Sequence, residues 1–256
     1  MQVVILSGGE GIHLPGSGET IAKGMVAING QPAICHIMDQ FSSYGFNDFI
    51  VCAGKHQADI KKFFLDYYAR SNDVLVDLGS NSAIVETTIR KQWRVRIVDT
   101  GISTATGGRI KAITKYLPPY EPFIVAYADV LADVNIKELI ERHQASQKKA
   151  TITIYNASQK FGVVELENDG SVAHFRNRNP KGSSLINIGF IVMEPSVLDL
   201  ISGPNTVLEK YPLEELARQE QLGSFIHEGF YAKLDTLSDK IMLNDLFASG
   251  LVKFGN

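Results

Sequence analysis

Short apolar runs alternate with stretches of helical period through the first half of the chain: Val3 to Leu6, Pro32 to Ser43, Phe49 to Cys52 and Ala58 to Tyr68 follow in turn. Continuous apolar runs suit strands buried on both faces, whereas apolar residues three and four apart suit helices with one buried face. The order reads βαβα. It continues with a strand over Val95 to Val98, a helix from about Ile110 to Tyr116 and a strand over Phe123 to Tyr127. Such units predict an α/β fold with a mainly parallel central sheet, right-handed crossovers and ligands at the carboxyl ends of the strands.

Two regions depart from this rhythm. Between Val74 and Ile89, the runs Leu75 to Leu78 and Ala83 to Glu86 flank Gly79-Ser80-Asn81-Ser82, which predicts a projecting hairpin. After a helix over Asn135 to Ser146 the chain becomes α+β. Ala150 to Tyr155 alternates Thr and Ile, Gly162 to Leu166 and Val172 to Phe175 flank the turn Asn168-Asp169-Gly170, and a closing helix spans Leu237 to Ser249 before Gly250. No repeat, low-complexity run or linker interrupts residues 1–256. The expectation is one unit, with a parallel-sheet portion to about residue 130 and an α+β portion over 131–256.

Composition narrows the classes. With 45% hydrophobic and 21% charged residues the chain can bury a full core, and a net charge of -3 offers no general attraction to nucleic acid or anionic membrane. The opening apolar run stops at Ser7-Gly8-Gly9, too short for a signal peptide or membrane span, so a cytoplasmic protein is expected. Two cysteines, Cys35 and Cys52, supply neither a disulfide framework nor a thiolate cage.

Leu6-Ser7-Gly8-Gly9-Glu10-Gly11 follows the first strand directly, where small residues let backbone N–H groups close around a phosphate. Taken alone, it equally fits an ordinary strand-to-helix turn. It lacks the Gly-Lys-Ser/Thr of a Walker A loop, and the second strand runs into Ala53-Gly54-Lys55 with no acidic residue to hold a ribose. Asp129 after one strand and Asp235 before the closing helix are candidate ligands for a hard cation such as Mg2+, although strand-end aspartates also serve as caps and turn formers. Thr100-Gly101 and Thr106-Gly107-Gly108-Arg109 combine hydroxyls, free backbone and one permanent cation, suiting a base edge or phosphate as well as a plain helix start. Lys23 is a phosphate ligand or a solvated lysine. No serine or histidine spacing supports a nucleophile and its base.

Taken together and in order, Val3 to Gly11, Lys23-Gly24-Met25-Val26, Ile97 to Gly101 with Thr106 to Arg109, Phe161-Gly162, Ile186-Asn187 before Gly189-Phe190, and Leu234 to Leu237 with Asp239-Lys240 resemble the sugar-1-phosphate nucleotidyltransferases, particularly glucose-1-phosphate cytidylyltransferases. The resemblance covers nearly the whole chain. It implies a Rossmann-like nucleotidyltransferase fold, Mg2+ as cofactor, a nucleoside triphosphate and a sugar 1-phosphate as substrates, and a homo-oligomer. By motif it assigns Leu6, Gly8, Gly9, Gly11, Thr106, Gly107 and Arg109 to the nucleotide, Lys23 and His13 to catalysis, Asn177, Arg178 and Asn187 to the sugar phosphate, and Asp129 and Asp235 to the metal.

Four motifs differ from the family pattern. Gly11-Ile12-His13-Leu14 stands for Gly-Thr-Arg-Leu, Ala22-Lys23-Gly24 for Pro-Lys-Pro, Ala128-Asp129-Val130 for Gly-Asp-Gly, and Asn177-Arg178-Asn179 for Glu-Lys-Pro. His13 thus replaces a bidentate permanent cation, a change worth on the order of 3 kcal/mol in transition-state stabilisation. Three classes follow: a nucleotidyltransferase, a catalytically weak relative that binds nucleotide or sugar phosphate as a sensor or partner subunit, and a structural oligomer component.

Overall fold

The computed structural model describes residues 1–13, 19–86, 91–157 and 185–252, together with the backbone of 163–166 and 172–176. Its central sheet has eight strands: β1 (Val3–Ser7), β2 (Asp48–Ala53), β3 (Arg94–Asp99), β4 (Phe123–Tyr127), β5 (Ala150–Asn156), β6 (Leu185–Asn187), β7 (Ile191–Met193) and β8 (Leu222–His227). Strands β4, β1, β2 and β3 lie side by side and parallel, with Val3 opposite Ile124 on one neighbour and Phe49 on the other. Beyond β4 the direction reverses. β7 is antiparallel to β4, the start of β5 pairs with β7 and its end with β6, and β8 runs parallel along β5. The parallel first half and mixed second half agree with the apolar patterning.

Burial explains why the first strands read as unbroken apolar runs. Val3 and Ile5 enter a cluster with residues of helices α1 (Ala33–Ser43) and α2 (Gln57–Leu65), while Val4 and Leu6 enter the opposite cluster. A strand covered on both faces has no position to leave polar. The predicted helix over Ala58 to Tyr68 is broken at Asp66, whose φ of -90° and ψ of 6° end α2 before a short α3 (Tyr67–Ser71). The break turns Tyr67 onto Trp93, with ring centroids 5.8 Å apart.

Helix α4 (Thr106–Ala112) begins four residues before the predicted Ile110 and tightens into a 3-10 turn over Thr114–Tyr116. Gly107 and Gly108 belong to its first turn, despite glycine's poor helix propensity, because the segment around Pro204 and Thr206 packs against them. A Cβ on Gly108 would lie 2.3 Å from the Pro204 carbonyl oxygen. Helices α5 (Ile136–Ser146), α6 (Tyr211–Arg218) and α7 (Leu237–Ala248) follow; α7 opens with a capping box between Thr236 and Asp239.

The expected hairpin forms, with Asp73–Asp77 antiparallel to Ser82–Glu86 and Asp77 accepting from the Gly79 and Ser80 amides at 2.8 and 3.2 Å. A second pair joins Val163–Leu166 and Val172–Arg176, while its predicted turn at Asn168 to Gly170 lies outside the described residues. Cys35 and Cys52 are buried and free, and burial pushes both thiols up to about 12. Among the described residues no helix is long and apolar enough to cross a membrane.

Candidate active site

A cavity of about 400 Å³ opens where β1 and β4 end, lined by Leu6 to Gly11, Lys23-Gly24, Thr104 to Thr106, Arg109 and Tyr127 to Asp129. This is the carboxyl edge at which parallel sheets bind ligands. The glycine loop forms one wall and its carbonyls are held from behind. Arg109 Nη2 donates to Gly8 O at 2.8 Å, His56 Nε2 donates to Glu10 O at 3.0 Å, and Lys55 pairs with the Glu10 carboxylate at 2.9 Å. Gly8 must be glycine here, since a Cβ would lie 2.0 Å from Arg109 Cζ.

Arg109, expected at the nucleotide, lines this cavity. Its guanidinium does not stand free for a phosphate or base: it donates to Thr100 Oγ1 at 2.8 Å, to Gly101 O at 2.7 Å and to Ile102 O at 3.1 Å, with a longer contact of 3.3 Å to Ala53 O. Only 5% of the residue is exposed. A planar fork with five donors fastens the loop to the ends of β2 and β3.

On the opposite wall, a 3-10 turn over Lys23–Met25 presents Lys23, whose ammonium lies 3.0 Å from Asp129 Oδ2 and also pairs with Asp235 Oδ1. The two aspartates meet because Val130–Ala132 pairs antiparallel with Tyr231–Lys233 and the Leu234 amide donates to Asp129 O at 2.8 Å. Their convergence agrees with the sequence reading. Lys23 is the surprise, since it bridges the two carboxylates instead of standing apart from them. Burial opposes its charge, but the hydrogen bonds and charges of Asp235 and Asp129 outweigh that and hold its pKa above the ordinary lysine value. Burial likewise raises Asp235, yet Lys23 and Lys233 outweigh it and hold the carboxyl below its usual range.

Among the described residues no set of three or more metal-ligating side chains is assembled. Mg2+ asks for less, typically one or two carboxylates completed by substrate phosphates and water. Asp129 and Asp235 fit that demand, because both reach the single cationic centre of Lys23.

A second cavity of about 260 Å³ shares Tyr127 and Asp129 and adds Asn187, Glu209, Tyr231 and Lys233. Asn187 Oδ1 accepts from the Gly189 amide at 3.0 Å. His13 is exposed on a two-residue strand paired with Thr20–Ile21 and is not part of either cavity wall. Gly107 packs against Thr206 instead of facing the cavity. Asn177 and Arg178 lie outside the described residues. Sequence reasoning overlooked Tyr127, Glu209, Tyr231 and Lys233. Lys233 follows an apolar residue just before Asp235 and was legible as a strand-end charge, whereas Val207-Leu208-Glu209-Lys210 carries no pattern that marks a site.

A glycine loop at the end of the first strand, facing a lysine and two aspartates, defines a protein that handles phosphorylated nucleotides. Residues 2–230 match the nucleotidyl transferase family, and the chain belongs to it. Within that family it is 41% identical over 253 residues to the glucose-1-phosphate cytidylyltransferase of Salmonella typhi, covering 98% of this chain and 97% of that one. It is 33% identical over 251 residues to a probable glucose-1-phosphate cytidylyltransferase of Bacillus subtilis, with 98% and 97% covered. The solved UDP-glucose pyrophosphorylase of Acinetobacter baumanii aligns with a TM-score of 0.70 at 16% identity, covering 99% of this chain and 95% of that one, which is a likeness of fold.

Proposed function

We propose that this nucleotidyltransferase joins CTP to a sugar 1-phosphate of the glucose type, releasing pyrophosphate and forming a nucleotide sugar for surface polysaccharide synthesis. The observation that carries the reading is the opposition, across one cavity, of the glycine loop and the cluster Lys23, Asp129 and Asp235. Full-length similarity to glucose-1-phosphate cytidylyltransferases supports the choice of base and sugar.

In the reaction a phosphate oxygen of the sugar 1-phosphate attacks the α-phosphorus of CTP and pyrophosphate departs in line. The oxygen is already anionic, so no general base is required, and rate comes from positioning and charge neutralisation. Gly8, Gly9 and Gly11 would hold the triphosphate through the loop backbone, with Arg109 and His56 fixing that loop from behind. Asp129 and Asp235 would hold Mg2+, which when bound supplies positive charge to the phosphates. Lys23 would then turn its ammonium from the carboxylates toward the phosphates. The second cavity, beside Asn187 and Lys233, would seat the sugar 1-phosphate; for Asn177 and Arg178 the same role rests on the motif resemblance alone.

A portion to about residue 130 that binds nucleotide, and a portion from 131 that binds sugar, fit the change from parallel to mixed strand order. Action in the cytoplasm accords with these substrates. Self-association accords with the exposed Leu75, Val76, Leu78 and Ile84 of the hairpin. Pyrophosphate release from CTP and glucose 1-phosphate, measured with and without Mg2+, tests the proposal. His13 in place of an arginine favours a second reading, a slow or inactive relative that only binds these ligands. Ligand-induced stabilisation without pyrophosphate release would support it, since ligand at about 100 times its Kd adds roughly 2.7 kcal/mol.

A further inference from the structure

Tyr127 ends β4 and is common to both cavities. Its ring is confined on one side by Gly189, where a Cβ would lie 2.4 Å from Tyr127 Cδ2. Its hydroxyl donates to Glu209 Oε1. The other oxygen of that carboxylate accepts from Thr106 Oγ1 at 2.6 Å, and the same Thr106 oxygen accepts from the Leu208 amide at 2.9 Å. Glu209 is therefore tied to the first residue of α4 on the nucleotide side and to the phenol on the other side. Among the described residues no cation forms an ion pair with it.

An exposed carboxylate in the same cavity wall as Asp129 repels the phosphates that this site must admit. Its placement makes sense as an acceptor for hydroxyls, with two already in place. Burial and the Glu209 charge raise the Tyr127 pKa far above the ordinary phenol value, so the phenol remains a donor at every working pH.

We propose that Glu209 is a positioning residue: by gripping the Tyr127 hydroxyl it fixes that ring as the partition between the two cavities and so shapes the seat of the hexose 1-phosphate. The inference rests on the proposed assignment of the second cavity to the sugar. Glu209 acts through Tyr127 and lines the second cavity only, whereas Tyr127 and Thr106 also line the first, so nucleotide affinity should fall too, but less than sugar-phosphate affinity. Loss of a hydrogen bond to a charged group corresponds to about a tenfold change in affinity.

The test titrates glucose 1-phosphate onto protein saturated with α,β-methylene CTP and Mg2+, and α,β-methylene CTP itself onto the free protein, by calorimetry. Glu209→Ala and Tyr127→Phe should each weaken sugar-phosphate binding about tenfold and keep analogue affinity within about threefold. The double variant should show the same tenfold loss, because both changes break one link. Glu209→Gln, which keeps one acceptor oxygen, should recover part of the affinity. Losses that multiply to about a hundredfold would show Glu209 acting independently of Tyr127 and would overturn the positioning role, as would single variants indistinguishable from the parent. Pyrophosphate release by the parent separates the two levels: a parent that neither binds these ligands nor turns over overturns the assignment of function and this inference with it, whereas an active parent with multiplying losses overturns the inference alone.

Discussion

Replacing Arg109 by alanine should both destabilise the fold and weaken nucleotide binding, because one buried guanidinium holds the glycine loop to two strand ends. Five hydrogen bonds vanish, to Gly8 O, Ala53 O, Gly101 O, Ile102 O and Thr100 Oγ1. They do not count equally. Ala53 O keeps the Thr100 amide at 3.0 Å and hydroxyl at 2.7 Å, and Ile102 is 63% exposed, so water can replace its donor. The carbonyls of Gly8 and Gly101 and the Thr100 hydroxyl lose a charged partner, each worth about 1.5 to 3 kcal/mol before water or rearrangement restores part. A net loss of about 3 kcal/mol follows, or a fall in Tm of about 6 to 12 °C for a chain of this size. Arg109→Lys keeps the charge but not the fork, and should fall by about half as much. Thermal unfolding by circular dichroism gives the first quantity and calorimetric titration with CTP and Mg2+ the second. An alanine variant that melts within 2 °C of the parent yet loses CTP affinity would refute the reasoning, since the guanidinium would then act on the nucleotide and not on the loop.

Gly9→Ala should fold like the parent but bind CTP at least tenfold more weakly, because its Cβ meets nothing in the protein within 4 Å and the loop backbone is where phosphate would approach. Gly11→Ala should instead lower Tm measurably, since at φ +88° its Cβ would lie 2.4 Å from Ile21 O; equal Tm values for the two variants would contradict this. Lys23→Met should abolish turnover while raising Mn2+ affinity several-fold in an electron paramagnetic resonance titration, because the ammonium no longer competes for Asp129 and Asp235. Unchanged Mn2+ affinity would count against a shared cation position. Introducing His13→Arg should raise pyrophosphate release about tenfold or more if a missing permanent cation limits the rate, and a silent variant that still binds CTP would favour the binding-only reading. Asp235 has a depressed folded pKa, so its contribution is present above the unfolded value of about 3.9 and is lost as pH falls through the lower folded value. The Tm of the parent should therefore drop more steeply below about pH 4 than that of Asp235→Asn, and parallel curves would remove the pairing from the account of acid stability.

The central sheet and its ligand edge were legible in the amino-acid order, because β1, β2 and β4 are covered on both faces and can carry only apolar residues, while the loop after β1 must be small to turn. Local chemistry also marked the hairpin turn, which Asp77 holds through the Gly79 and Ser80 amides, since it is a contact between residues close in sequence. What the order of residues could not decide was where a charge points. Lys23, Asp129 and Asp235 come from segments 106 and 212 residues apart, and only the pairing of Val130–Ala132 with Tyr231–Lys233 sets them around one centre. Arg109 reads as a free cation before a helix, yet the close packing of Pro204 and Thr206 on Gly107 and Gly108 fixes that helix where the guanidinium turns inward to five partners. Glu209 has no neighbour in sequence to mark it, and acquires its place from Tyr127 and Thr106, 82 and 103 residues away. Strand burial is a property of local pattern, whereas the partner of a long polar side chain is settled by distances that exist only once the chain has folded.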